Sequence, residues 1–306
     1  FTGGFHGRTH LTMGLTGKVA PYREGLGIGP AGIHHLPFPC AAEGVSVADT
    51  LAALDRLFRA DIAPKDVAAI IIEPVQGEGG IRPLPDQCLK GLRDLCDERG
   101  ILLILDEVMC GMGRTGTLFA CEQDGIAPDI VTIAKGLGAG YQPIGAALCT
   151  SEIYDAFVNG SGFFQHGHTY IGHPTATAAG DAVVKKLTEG GLVARAAQQG
   201  EVLDAALREA FGQHPHIGDI RGRGMFRGLE IVADRATKEP MDPAKAINKK
   251  LKAAAFEAGL VCYPMGGTID GQRGDHILLA PPFIITDDQI GELVDKLGTA
   301  IREVLG

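Results

Sequence analysis

Three apolar runs decide most of what this chain can become. VAAIIIEP (67–74), GILLILDE (100–107) and DIVTIAKG (129–136) crowd apolar residues together without strict alternation. A strand with one wet face alternates. A near-continuous apolar run is what a strand covered on both faces requires, and that environment belongs to parallel sheets flanked by helices. All three runs end on a charge, namely Glu73, Asp106 and Lys135. Between the first two lies PDQCLKGLRDLCDERG, where Leu89, Leu92, Leu95 and Cys96 recur at helical spacing, Pro85 and Asp86 mark a start and Gly100 a stop. Strand, helix, strand units join parallel strands by right-handed crossovers. The expected fold is α/β: a large domain over residues 1–184 with a mainly parallel sheet and helices on both faces.

The remainder reads as a smaller C-terminal α+β domain, residues 185–306. TATAAGDAVVKKLTEGG and LVARAAQQGEVLDAALREAFG carry amphipathic helical periods, and IGDIRGRGMFRGLEIVA reads as a hairpin with polar residues outward. A helix is expected over about 243–258 and short strands at LVCYP and HILLA. A final helix opens on Thr286 and Gln289 at capping-box spacing. GTIDGQRGD (267–275) is the best candidate for a mobile loop.

Charge and cysteine usage exclude several functions. A net charge of -9 with no basic block repels a polyphosphate backbone, so nucleic acid is not an expected partner. No apolar run approaches the roughly 20 residues a bilayer requires, so no membrane role is expected. The 7 cysteines are scattered with no CxxC pair and read as small buried residues of a reducing, cytoplasmic compartment. The chain opens on Phe1, and FTGGFHGRTH reads as the interior of a fold, so an upstream segment is expected to be missing.

In open α/β sheets ligands sit beyond the carboxyl ends of the strands, where Glu73, Asp106 and Lys135 are expected. A lysine there either reaches solvent or is used as a neutral amine, since burying an unpaired ammonium costs several kcal/mol. A neutral lysine amine can condense with an aldehyde to a Schiff base. Pyridoxal phosphate is the usual aldehyde, and its ring accepts electrons only while a carboxylate keeps its nitrogen protonated. Asp106, on the neighbouring strand, is placed for that.

The motifs EPVQGEGG (73–80), LDEVMCGMGRTG (105–116), TIAKGLGAGYQPIGA (132–146) and HGHTYIGHP (166–174), in this order, resemble the class-III pyridoxal-phosphate aminotransferases, the group of 4-aminobutyrate, ornithine and ω-amino acid transaminases. The resemblance implies a fold-type I transferase with Lys135 as the Schiff-base lysine and Asp106 as the partner of the ring nitrogen. It implies Val108 on one face of the ring and Phe5, with His6 beside it, on the other. Thr169 resembles the hydroxyl that reaches the cofactor phosphate of a neighbouring subunit, which implies a homodimer with shared sites. Glu78 and Arg273 resemble a pair in which the arginine swings to take a substrate carboxylate. His166, His168 and His173 tempt a metal reading, but the resemblance makes them loop and interface structure, and no metal is expected.

The implied activity moves an amino group from an ω-amino acid or amine, such as 4-aminobutyrate or β-alanine, to pyruvate or 2-oxoglutarate by ping-pong kinetics through Lys135. Many amino-acid-specific members read DEVQTG, whereas Met109 and Cys110 stand here, which turns the expectation from 4-aminobutyrate toward the ω-amine and β-alanine branch. The rivals are an aminomutase, racemase or decarboxylase on the same scaffold, and a truncated non-catalytic chain.

Overall fold

A computed structural model describes residues 1–306. Helices α1 (His10–Leu15) and α2 (Val47–Ala60) precede β1 (Ala69–Ile72), a small hairpin of β2 (Val75–Gln76) and β3 (Arg82–Pro83), then α3 (Cys88–Arg99), β4 (Leu102–Asp106), β5 (Ile130–Ile133) and β6 (Ala146–Cys149). There follow α4 (Ser151–Asn159), α5 (Pro174–Thr188), α6 (Leu192–Phe211), β7 (Ile217–Arg223), β8 (Phe226–Asp234), β9 (Glu239–Pro240), α7 (Ile247–Glu257), β10 (Tyr263–Met265), β11 (Asp275–Leu279) and α8 (Asp287–Leu305).

The first sheet runs β1-β4-β5-β6, parallel across its first three strands and antiparallel at β6. The three apolar runs are its parallel core. Leu89, Leu92 and Cys96 of α3 pack beneath it with no exposed surface, beside Leu103 and Leu105 of β4. Asp129 locks this layer: one carboxylate oxygen accepts from the Leu103 amide and from Arg93 of α3, each at 2.7 Å. Register then does the decisive work, because Asp106 lies opposite Thr132, three residues before Lys135. Both charges therefore stand on one rim of the sheet.

The second sheet, β10-β11-β8-β7 with β9 added to β8, is antiparallel throughout and packs against α6, α7 and α8 around a separate core running from Ala196 to Ile301. The capping box at Thr286 and Gln289 is present. Four expectations change. β6 is absent from the sequence reading because its alanines and cysteine carry neither a bulky run nor an alternation. α3 starts at Cys88, after a turn that holds Gln87 at φ 67°. Only the end of LVCYP is strand, and Val261 is 86 % exposed.

The fourth change concerns the β7–β8 hairpin, whose polar residues do not all face outward. Arg227 and Glu230 are buried. They are tolerated there because each charge is paired, Arg227 with Asp204 at 2.9 Å and Glu230 with Arg221.

Leu105 is fully buried between α3 and the sheet. Leu105→Ala is expected to lower the free energy of unfolding by about 2–5 kcal/mol, read from the urea midpoint, through lost burial and a cavity that a rigid layer cannot close.

Candidate active site

β5 stops at Ile133, and Lys135 opens a tight turn, Lys135–Leu137, closed by the Leu137 amide on the Ala134 carbonyl at 2.8 Å. Lys135 takes φ 36°, a left-handed conformation that costs a side-chain-bearing residue about 1–3 kcal/mol. Buried Leu137 pins the turn from below while the Lys135 side chain stands exposed at the rim. A strained turn held in place by packing thus presents an exposed amine at the strand end.

Asp106 is 7 % exposed, and its carboxyl group meets two local donors. Its Oδ1 accepts from the Val108 amide at 3.1 Å, and its Oδ2 meets His6 Nδ1 at 2.8 Å. Each carboxylate oxygen carries two lone pairs, so capacity for one more donor remains. The bond from Val108 closes a tight link between the end of β4 and the residue two positions on. Next door, the fully buried Glu107 takes the amides of Ala120 at 2.5 Å and Cys121 at 2.9 Å, anchoring the far end of the loop that contains Val108 and Met109. Gly77 is required opposite, since a Cβ there would overlap Met109 Sδ.

Phe5 and His6 arrive from the N-terminal segment. The Phe5 amide donates to Glu73 Oε1 and the Gly77 amide to Glu73 Oε2, both at 2.9 Å, while the His6 amide donates to Thr16 Oγ1. Burial pushes the Glu73 carboxyl up to about 7; His6 opposes that rise and Asp106 adds to it. The Phe5 ring lies 4.8 Å from Tyr22, and the Arg8 guanidinium stands over both, 5.8 and 5.3 Å from their centroids.

The expected Glu78–Arg273 pair is not brought together. Tyr22 Oη instead reaches Glu78 Oε2 at 2.5 Å, and burial together with this bond raises the phenol. Arg273 is turned to solvent, where Asp270, three residues away on the same loop, takes its Nε and its amide, each at 2.7 Å. The loop is itself tied by the Thr268 amide to Gly274 and the Ile269 amide to Arg273. Buried Lys18 donates to the Glu78 and Gly266 carbonyls, and burial lowers its ammonium. Arg8, Lys18 and Tyr22 lack any local sequence signal; only the tertiary return of the first 22 residues onto the sheet puts them here.

Thr169 lies in the exposed stretch 161–175. Around it Phe163, Phe164, Tyr170 and Ile171 are 60–81 % exposed. His166 stacks edge-on with Phe164 and His168, and His173 with Tyr170.

Residues 1–301 match the family model described as aminotransferase class-III. The chain is 46 % identical over 303 residues to the 5-aminovalerate aminotransferase DavT of Pseudomonas putida, covering 99 % of this chain and 67 % of that protein. It is 40 % identical to the 4-aminobutyrate aminotransferase GabT of Escherichia coli, covering 99 % and 68 %. A solved amine transaminase from an uncultivated Pseudomonas species, with pyridoxal phosphate bound, superposes with a TM-score of 0.89 at 34 % identity, covering 99 % and 68 %. The chain thus spans about two thirds of the length of the relatives it matches.

Glu73 makes the fold itself pH-sensitive. A carboxyl whose pKa is raised on folding adds stability that is present below its usual 4.5 and is lost as pH climbs to about 7. Between those limits the free energy of unfolding from urea titrations should fall by about 1–3 kcal/mol more in the parent chain than in Glu73→Gln.

Proposed function

The chain belongs to the class-III aminotransferases, and on that premise we propose that it serves transamination of an ω-amino acid or amine, with pyruvate or 2-oxoglutarate as acceptor. The observation that carries this reading is the rim shared by Lys135 and Asp106, one an exposed amine in a strained turn, the other a buried carboxylate with a free acceptor position.

The site fits pyridoxal phosphate in its donor set: an amine to join the aldehyde, a carboxylate for the ring nitrogen, and the Phe5 and Val108 side chains to close on the two ring faces. When bound, the cofactor supplies the aldehyde and the electron-accepting ring. Asp106 would hold the ring nitrogen, and His6, bonded to its Oδ2, fixes the direction of that carboxylate. Lys135 Nζ would join the aldehyde and, as a free amine, would accept and return the proton at the substrate carbon. The exposed rim position gives Nζ the reach to do so.

Arg8 is the cation standing over Phe5, and a carboxylate at the far end of an ω-amino acid would meet it there. The relatives named for 5-aminovalerate and 4-aminobutyrate support this substrate class. Thr169 serves the phosphate of a partner subunit, and the exposed aromatic residues around it support a homodimer.

The test is a donor screen of 5-aminovalerate, 4-aminobutyrate, β-alanine and simple amines against pyruvate and 2-oxoglutarate. Parallel double-reciprocal lines and loss of at least a thousandfold in kcat for Lys135→Ala are expected. Intersecting lines, or racemisation or gas release without net amino transfer, would overturn the reading.

A further inference from the structure

We propose that Glu73 is a positioning residue for the cofactor site: its carboxylate clamps Phe5 through the main chain and acts through His6 on the carboxylate of Asp106. The role rests on the transaminase reading above, but its geometry does not. Glu73 is 5 % exposed at the end of β1, and its two oxygens hold amides from two different segments, Phe5 and Gly77. One segment carries the ring-facing aromatic and the other leads to Glu78. Two N–H groups need two acceptor oxygens, which a carboxylate presents and an amide does not.

His6 continues the line. Its Nδ1 is on Asp106, and its Nε2 faces the gap on the Glu73 side: a methyl at Gly4 would stand 3.1 Å from His6 Nε2 and 3.7 Å from Glu73 Oε1. Glycine at 4 leaves the imidazole and the carboxylate facing one small gap. His6 thus meets Asp106 directly and stands near Glu73 across that gap. Glu73 acts on the imidazole across that gap, and the imidazole, bonded through Nδ1, secures Asp106 in the orientation its ring partner needs. The Cys110 thiol also feels Glu73 and donates to the Asp106 main-chain carbonyl at 3.8 Å, but it does not touch the Asp106 carboxylate oxygens.

The test has two arms on the full chain. In the chain without cofactor, labelled with ¹³C at glutamate carboxyls, one signal is expected to titrate near pH 7 and to vanish in whichever of Glu73→Gln and Glu73→Asp folds. In His6→Asn, where Glu73 is intact, its midpoint should move alkaline by half a pH unit or more; an unchanged midpoint overturns the proposal. With pyridoxal phosphate, absorbance titration should show about tenfold weaker binding for Glu73→Gln in the parent, and little further loss in the His6→Asn background. An equal loss in both backgrounds means that Glu73 only clamps main chain, and also overturns it. If the first arm holds and the parent chain takes up no pyridoxal phosphate, the transaminase reading fails rather than the coupling of Glu73 to His6.

Discussion

The site depends on the register between two neighbouring parallel strands. Because Asp106 is opposite Thr132, the carboxyl ends of β4 and β5 deliver a carboxylate and an amine to the same rim. A slip of one residue would turn Asp106 to the other face of the sheet and uncouple the two. The register is protected by what lies beneath: α3 buried against β4, and Asp129 binding the Leu103 amide of that strand and Arg93 of the helix at once. The packing that stabilises the layer also aims the chemistry.

Charge is handled in the same way throughout. Asp106, Glu107 and Glu73 are all buried; Glu107 and Glu73 are each met by two main-chain amides and Asp106 by one amide and the His6 imidazole, rather than by a lysine or arginine. Amides fix the direction in which such a carboxyl group points. Arginine pairs with carboxylates in the second sheet, where Arg221 closes an ion pair with Glu230 within the hairpin and Arg227 binds the hairpin to Asp204 of α6.

The parallel core and the placement of Lys135 and Asp106 were legible because unbroken apolar runs and strand-end charges are local patterns. Helix α8 was equally plain from its capping box. What stayed hidden is non-local. β6 carries one large apolar residue, Leu148, among small ones, and its partner strand supplies its identity. Arg227 and Glu230 look like solvent-facing charges until their partners are folded onto them. Tyr22 replaces Arg273 as the partner of Glu78 because Asp270 draws the arginine outward, a competition decided by loop geometry rather than composition. The strain at Lys135 has no sequence signature at all, since any residue can be written before a glycine.

The most direct measurement is chemical capture of the amine at the rim. Purified chain is mixed with pyridoxal phosphate, reduced with borohydride, digested and mapped by peptide mass. The account predicts one stable pyridoxyl adduct, on Lys135, that Lys135→Ala removes and that Asp106→Asn leaves in place while weakening the affinity at which it forms. An adduct spread over surface lysines, or confined to one other than Lys135, would contradict it.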